Sequence, residues 1–272
     1  MHLSISSYLW LEHPFLQHVR TVAQAGFDSL EIFATRGHLD LNDPDAVQEA
    51  GLGLRKYSVR RVTLHAPMIG VDLSSPNAAQ RGESLELCLR ALDAGALLGA
   101  SLVTVHPSSV EGEARDAPRR WPALLASLRE LARYAADRDL AIGVENHPRP
   151  LFADDPIELA ARIEGLCLRN VGISLDLGHA YVNGQIPGCI RYLAGSLMAV
   201  QASDTSGRAD EHLCPGRGTM PWEKVFVALA EAGFAGPIVI EIKDERPLGV
   251  VLEDVNRFAE HTGLLGVGHF SS

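Results

Sequence analysis

The chain has 272 residues, 46% hydrophobic and 21% charged, a mix that excludes a disordered or collagen-like chain and supplies a sizeable core. Twenty-four Lys and Arg stand against 34 Asp and Glu, a formal net charge of −10, which argues against a generic binder of nucleic acid or of an anionic membrane.

Taken in chain order, strands are predicted over His2–Ser6, Ser29–Phe33, Arg61–Leu64, Leu102–His106, Ala141–Glu145, Val171–Leu175, Leu197–Gln201 and Pro237–Glu241. Each is short and reads as a nearly continuous apolar run, the pattern of a parallel sheet buried on both faces. Helices are predicted between them, among others over Glu83–Leu98, Trp121–Asp137 and Trp222–Ala232. In the second of these, Leu124, Leu125, Leu128, Leu131 and Tyr134 keep the three-and-four spacing of an amphipathic helix. Glycine closes several helices just before a strand, at Gly26, Gly99 and Gly233. Eight strands alternating with helices predict a (β/α)8 TIM barrel in a single domain over residues 1–272. A doubly wound open sheet is the runner-up, but no G-x-G-x-x-G follows the first strand.

Cys88, Cys167, Cys189 and Cys214 are scattered, with no C-x-x-C pair. That fits a reducing cytoplasm and signals neither a zinc finger nor a redox motif. No basic stretch leads into an apolar run at the N-terminus, so neither a signal peptide nor a membrane span is expected. Oligomeric state is left open, a homo-oligomer included.

In such a barrel the C-terminal ends of the strands carry the chemistry. The second strand ends near Glu31. The third delivers His65, the fourth His106, the fifth Glu145, the sixth Asp176 with His179 following, the seventh Gln201 and the eighth Glu241. The loop after the seventh strand adds Asp204, Arg208, Asp210 and His212. A carboxylate at the end of an aliphatic strand is costly without a partner, and several converging on one mouth call for a divalent cation. Four other features are ambiguous. His147 reads best as a loop histidine against Pro148. Trp10 and Phe15 serve equally as a substrate wall or as local packing. Arg119-Arg120-Trp121 reads as a solvated helix start, and Pro215-Gly216-Arg217-Gly218 as a lid or a tight loop.

His65-Ala66-Pro67, Leu98-Gly99-Ala100 leading to His106-Pro107, Glu145-Asn146, Asp176-Leu177-Gly178-His179, and His212-Leu213 with Pro215-Gly216-Arg217-Gly218 before Trp222 together resemble the xylose isomerase-like TIM barrels. That superfamily joins sugar isomerases and epimerases with type-IV apurinic endonucleases. The isomerase and epimerase branch implies one metal on Glu145, Asp176, Gln201 and Glu241, with the two glutamates as catalytic residues moving protons through an enediolate. It implies His179 and Arg208 as substrate contacts, with His65 and His106 beside them. The endonuclease branch implies three zinc ions and adds His65, His106, His179, Asp210 and His212 as ligands. Against that set the chain departs once, carrying Gln201 where the resemblance implies histidine. An amide oxygen suits Mn²⁺ or Mg²⁺ better than zinc. The expectation is therefore a metal-dependent isomerase or epimerase of a small sugar or related hydroxy-carbonyl compound. A zinc-dependent nuclease is the alternative, and a barrel that only binds a ligand comes third.

Overall fold

The computed structural model describes residues 1–109 and 116–264. The expected domain span of 1–272 therefore includes residues 110–115 and 265–272, which lie outside the described residues. Eight strands, β1 (His2–Ser6), β2 (Ser29–Phe33), β3 (Arg61–His65), β4 (Leu102–Val105), β5 (Ala141–Glu145), β6 (Val171–Asp176), β7 (Leu197–Ala202) and β8 (Pro237–Ile240), pair in parallel in sequence order. β8 closes on β1, with His2 opposite Pro237 and Ile5 opposite Ile240. Each helix lies between two strands: α1 (Leu16–Gln24), α2 (Pro44–Lys56), α3 (Ala78–Leu98), α4 (Ala117–Ala136), α5 (Pro156–Glu164), α6 (Leu177–Val182) and α7 (Trp222–Glu231), with α8 (Leu248–His261) last. This is the expected (β/α)8 barrel.

Local chemistry explains the helix starts. Asp43, Asn77 and Asp155 each cap a helix, their side chains accepting two backbone N–H groups, and Pro44 and Pro156 follow at the first helical position. Gly99 ends α3 at φ +72°, the left-handed conformation that a side chain disfavours. No helix of the described residues is long and apolar enough to cross a membrane. The four cysteines are free.

The strands are not the near-continuous apolar runs expected of them. They alternate. Ile5, Leu30, Ile32, Val62, Leu64, Val103, Val105, Ile142, Val144, Ile173, Leu175, Val200, Ile238 and Ile240 belong to one apolar core with the helices. Most positions between them are small or polar, among them Ser4, Ser6, Glu31, Thr63, His65, Thr104, Gly143, Glu145, Ser174, Asp176 and Gln201, with Phe33 and Val239 as apolar exceptions. Period-two geometry puts this second set on the inner wall. Side-chain bonds between strands agree, from Ser6 Oγ to its neighbour Glu31 at 3.1 Å and, past β5, from Thr104 Oγ1 to Ser174 at 3.3 Å. A narrow lumen needs small side chains below, so the large polar ones collect at the mouth. Gly143 meets that limit directly, since a Cβ there would lie 2.9 Å from the Ser174 Cβ.

The Pro215–Gly218 segment is a tight loop built on Asp204. The buried Asp204 carboxylate accepts from Thr205 N (2.9 Å), Met220 N (3.0 Å), Gly216 N (2.8 Å) and Trp222 Nε1 (2.9 Å). Its backbone also bridges to Leu213, which fixes the stretch carrying Asp210 and His212. Asp204→Ala would leave those donors unpaired and is expected to lower unfolding free energy by more than about 3 kcal/mol. Urea denaturation checks this, and a loss below about 1 kcal/mol would mean that the network does not hold the loop.

Candidate active site

The strand ends bring nearly all the predicted residues into one cluster. His65 Nε2 lies 3.2 Å and His106 Nε2 3.1 Å from Glu145 Oε2. Glu145 Oε1 is 3.5 Å from His179 Nδ1, which is also 3.5 Å from Asp176 Oδ1. Asp176 caps α6 by accepting from His179 N, which turns His179 back toward the strand it follows. Asp176 and Gln201 are register partners across β6 and β7. Gln201 Nε2 donates to Glu241 Oε2 at 2.8 Å. Asp210 Oδ2 lies 3.2 Å from His179 Nε2 and 3.0 Å from His212 Nε2. His212 sits at φ +49°, a conformation costing a non-glycine residue roughly 1–2 kcal/mol, and its Nδ1 lies 3.2 Å from the Glu241 carbonyl. Arg208 stands apart, on an exposed stretch, with no hydrogen bond or ion pair among the described residues.

Three groups of side chains bring their ligand atoms within 4.8 Å of one another: His65–His106–Glu145, Glu145–Asp176–His179 and His179–Asp210–His212. Burial and charge divide the protonation states. Burial alone would raise Glu145, but His106 and His65 outweigh it and hold that carboxyl well below the usual range. Glu241 has no such support: burial, then the charge of Glu145, pushes it up to about 8. Burial likewise lifts Glu31 to about 7 and Asp176 to about 6. The Asp176 Oδ2, Gln201 Oε1 and Glu31 Oε2 atoms are buried without a hydrogen-bond partner among the described residues. Orphaned oxygens beside carboxylates that burial disfavours are what an absent divalent cation would satisfy. The donor set therefore fits such an ion.

The chain matches the family described as xylose isomerase-like TIM barrel over residues 19–261. It belongs to that family. An uncharacterised protein of Methanocaldococcus jannaschii is 27% identical over 259 residues, covering 90% of this chain and 85% of its own. The D-psicose 3-epimerase of Ruminiclostridium cellulolyticum is 26% identical over 239 residues, covering 85% and 78%. Among solved structures, a D-tagatose 3-epimerase-like protein superposes with a TM-score of 0.86 at 24% identity, covering 98% of each chain.

Within this xylose isomerase-like barrel, several sequence-based readings need correction. His147 does lie in the loop after β5, but it faces His106. It is buried, 4.9 Å ring to ring from His106, with Nδ1 on the Phe152 carbonyl and Nε2 unpartnered. Burial, and then His106, lowers it to about 3, so it stays neutral. Arg120 is not solvated. α4 begins a turn earlier than predicted, and Arg120 is fully buried, donating to Asp72 at 2.7 Å and to Ser108 at 2.8 Å. This bond ties α4 to the β3 and β4 loops. Trp10 and Phe15 pack on each other, with Trp10 Nε1 donating to the Phe15 carbonyl. The aromatic wall beside the cluster is instead Tyr8 and Phe33, neither of which the sequence reading singled out. Phe33 stacks on His65 at 3.9 Å, and Tyr8 lies 5.0 Å from Phe33 and 5.1 Å from His212. Phe33 shares the parity of Glu31 and ends β2, a signal that was available. Tyr8, in a 3-10 turn after β1, gave none.

Proposed function

We propose that this barrel is a divalent-metal-dependent isomerase or epimerase of a small sugar or related hydroxy-carbonyl compound, with Glu145 and Glu241 as its proton-transfer pair. The observation that carries this reading is the opposite setting of the two glutamates. Glu145 has two imidazole nitrogens within 3.2 Å, whereas Glu241 has an amide N–H and, at 3.8 Å, only His212. In the metal-free protein these settings drive the two carboxyls toward opposite protonation states, the kind of difference that separates a base from an acid. The likeness to D-psicose and D-tagatose 3-epimerase-like proteins supports a sugar substrate.

Glu145, Asp176, Gln201 and Glu241 would hold the metal, Mn²⁺ or Mg²⁺ by the all-oxygen donor set. When bound, it supplies Lewis-acid stabilisation of the negative charge that develops beside the reacting carbon. Glu145, ionised, takes the proton next to the carbonyl. Glu241 returns a proton to the opposite face, giving an epimer, or to the neighbouring carbon, giving an isomer. His179 and Arg208 would hold substrate hydroxyls, with His65 and His106 keeping Glu145 ionised and in place. The aromatic wall of half-buried Tyr8 and buried Phe33 shields one side from water.

Proton transfer leaves a direct trace. With Mn²⁺ in D₂O, ketopentoses or ketohexoses are expected to exchange the hydrogen next to the carbonyl and to yield an epimer or isomer, followed by proton NMR. Absence of exchange across a ketose panel would remove the proposal. A zinc-dependent phosphodiesterase acting on abasic DNA is a second reading, favoured by the His179–Asp210–His212 group. Gln201 and the charge of −10 weigh against it. Three tightly held zinc ions together with cleavage of abasic DNA faster than any sugar turnover would replace the first reading with this one.

A further inference from the structure

The arginines around the β8–α8 connection are taken up by carboxylates. Arg246 bonds Asp244 at 2.6 Å and Asp254 at 2.8 Å, and Arg217 and Arg257 also reach Asp254. Lys243 is different. Among the described residues no carboxylate forms an ion pair with its ammonium, although the cluster two residues away is crowded with acids. Lys243 Nζ instead lies 5.1 Å from the centroid of the Tyr8 ring. Its backbone N–H donates to the His212 carbonyl at 2.9 Å, which pins it beside the cluster. From Lys243 the wall runs without a break through Tyr8 and Phe33 to His65, which bonds Glu145.

We infer that Lys243 and Tyr8 form a specificity site for a carboxylate at the end of the substrate remote from its reacting carbonyl, so that sugar acids are preferred over neutral sugars. This rests on the proton-transfer reading of Glu145 and Glu241. An ammonium has three donors and no acceptor. The Tyr8 O–H, whose ring lies beside the ammonium, is a further donor. An ammonium N–H and a phenol O–H side by side match the two oxygens of one carboxylate. A phosphoryl dianion gathers more donors than this pair offers, and the nearby Asp210 carboxylate repels its second charge. A neutral sugar leaves the ammonium without a counter-charge.

D-fructose, D-fructuronate and D-fructose 6-phosphate differ only at carbon six and form the test set. For the wild type, kcat/KM on fructuronate is expected to exceed that on fructose by about 10- to 100-fold, the range of charge-assisted hydrogen bonds. Lys243→Met is expected to cut that ratio by a similar factor, mostly through KM, and Tyr8→Phe to cut it less. Calorimetry supplies a readout without turnover: D-gluconate should bind more weakly to Lys243→Met, and D-glucitol should not discriminate between the proteins. Lys243 is exposed, so the variant does not threaten the barrel. Equal wild-type rates on acid and neutral sugar, a ratio that Lys243→Met leaves unmoved, or a preference for the phosphate ester would each overturn the carboxylate site. If gluconate binding weakens in Lys243→Met while no sugar exchanges its proton, the carboxylate site stands and the proton-transfer reading falls.

Discussion

Glu241→Gln is expected to cost at least about 10³-fold in kcat while leaving the barrel folded, because proton transfer and charge stabilisation both fail at once. Glu241 is 5% exposed and pushed up to about 8, so in the metal-free protein at neutral pH its carboxyl is mostly neutral. Glutamine is close in shape to that neutral acid, and its carbonyl oxygen still accepts from Gln201 Nε2. The thermodynamic cost is therefore expected within about 1 kcal/mol. An amide, however, has no proton to give and brings no negative charge to the cation. Glu145→Gln is expected to lose as much activity but more stability. Its carboxylate accepts from both His65 and His106 on one oxygen, and a neutral amide there removes the charge that strengthens both bonds, about 1–3 kcal/mol. Steady-state kinetics and urea unfolding on the same preparations separate the two effects. Unfolding of Glu241→Gln would make the residue structural, and retention of more than about a tenth of wild-type turnover would take it out of the proton-transfer step.

Stripped of divalent metal by chelation, the protein is expected to lose stability as pH rises from about 7 to about 9. Asp176, Glu31 and Glu241 are raised by burial to about 6, 7 and 8. A carboxyl raised on folding contributes stability that is full below its unfolded value and is lost as pH climbs through the folded one. His65 and His212, lifted to about 9 by carboxylates that outweigh burial, and His179, lifted further, act in the same direction. Their contribution is full below the ordinary histidine value and is lost above it. The depressed Glu145 and Asp210 work in acid only, losing stability as pH falls through their low values. His106 and His147, lowered by burial, add stability with rising pH only up to the ordinary histidine value. Above neutrality the slope is therefore downward. Each group crossing its window changes stability by roughly 1.4 kcal/mol per pH unit, or about 2–4 °C in Tm. Mn²⁺ favours the ionised carboxylates, so the gain in Tm on adding it should be larger at pH 8 than at pH 6. Calorimetric scans with EDTA and with Mn²⁺ measure both slopes. A metal-free Tm that stays flat across this range would mean that these carboxyls are not held protonated.

The barrel itself was legible because its signals are local. All eight strands fall where short aliphatic runs follow helix ends, and three boundaries agreed to the residue, at His2–Ser6, Ser29–Phe33 and Ala141–Glu145. The polar residues that end the strands were equally plain, since a Glu after Ala-Ile-Gly-Val is conspicuous in a one-dimensional pattern. Some missed features also left a trace. Arg120 precedes Leu124, Leu128 and Leu131 in helical phase, so its place on the buried face of α4 was written in the spacing. Charge outweighed phase in reading it as solvated, and the buried Asp72 that draws it in lies 48 positions earlier.

What the sequence determined alone, then, is which residues stand at the mouth, because period two in a strand and the order of strands in a closed barrel follow from local pattern. What only the tertiary structure decided is who faces whom. Glu145 meets His65 across 80 positions, which helps to hold it ionised, whereas burial and the charge of Glu145 raise Glu241. The same holds for Lys243, which has acids near it in the chain and yet turns to Tyr8 from the opposite end of the sequence. Protonation and charge pairing depend on distances of a few ångströms between groups far apart in the chain, and those distances are set when β8 closes on β1.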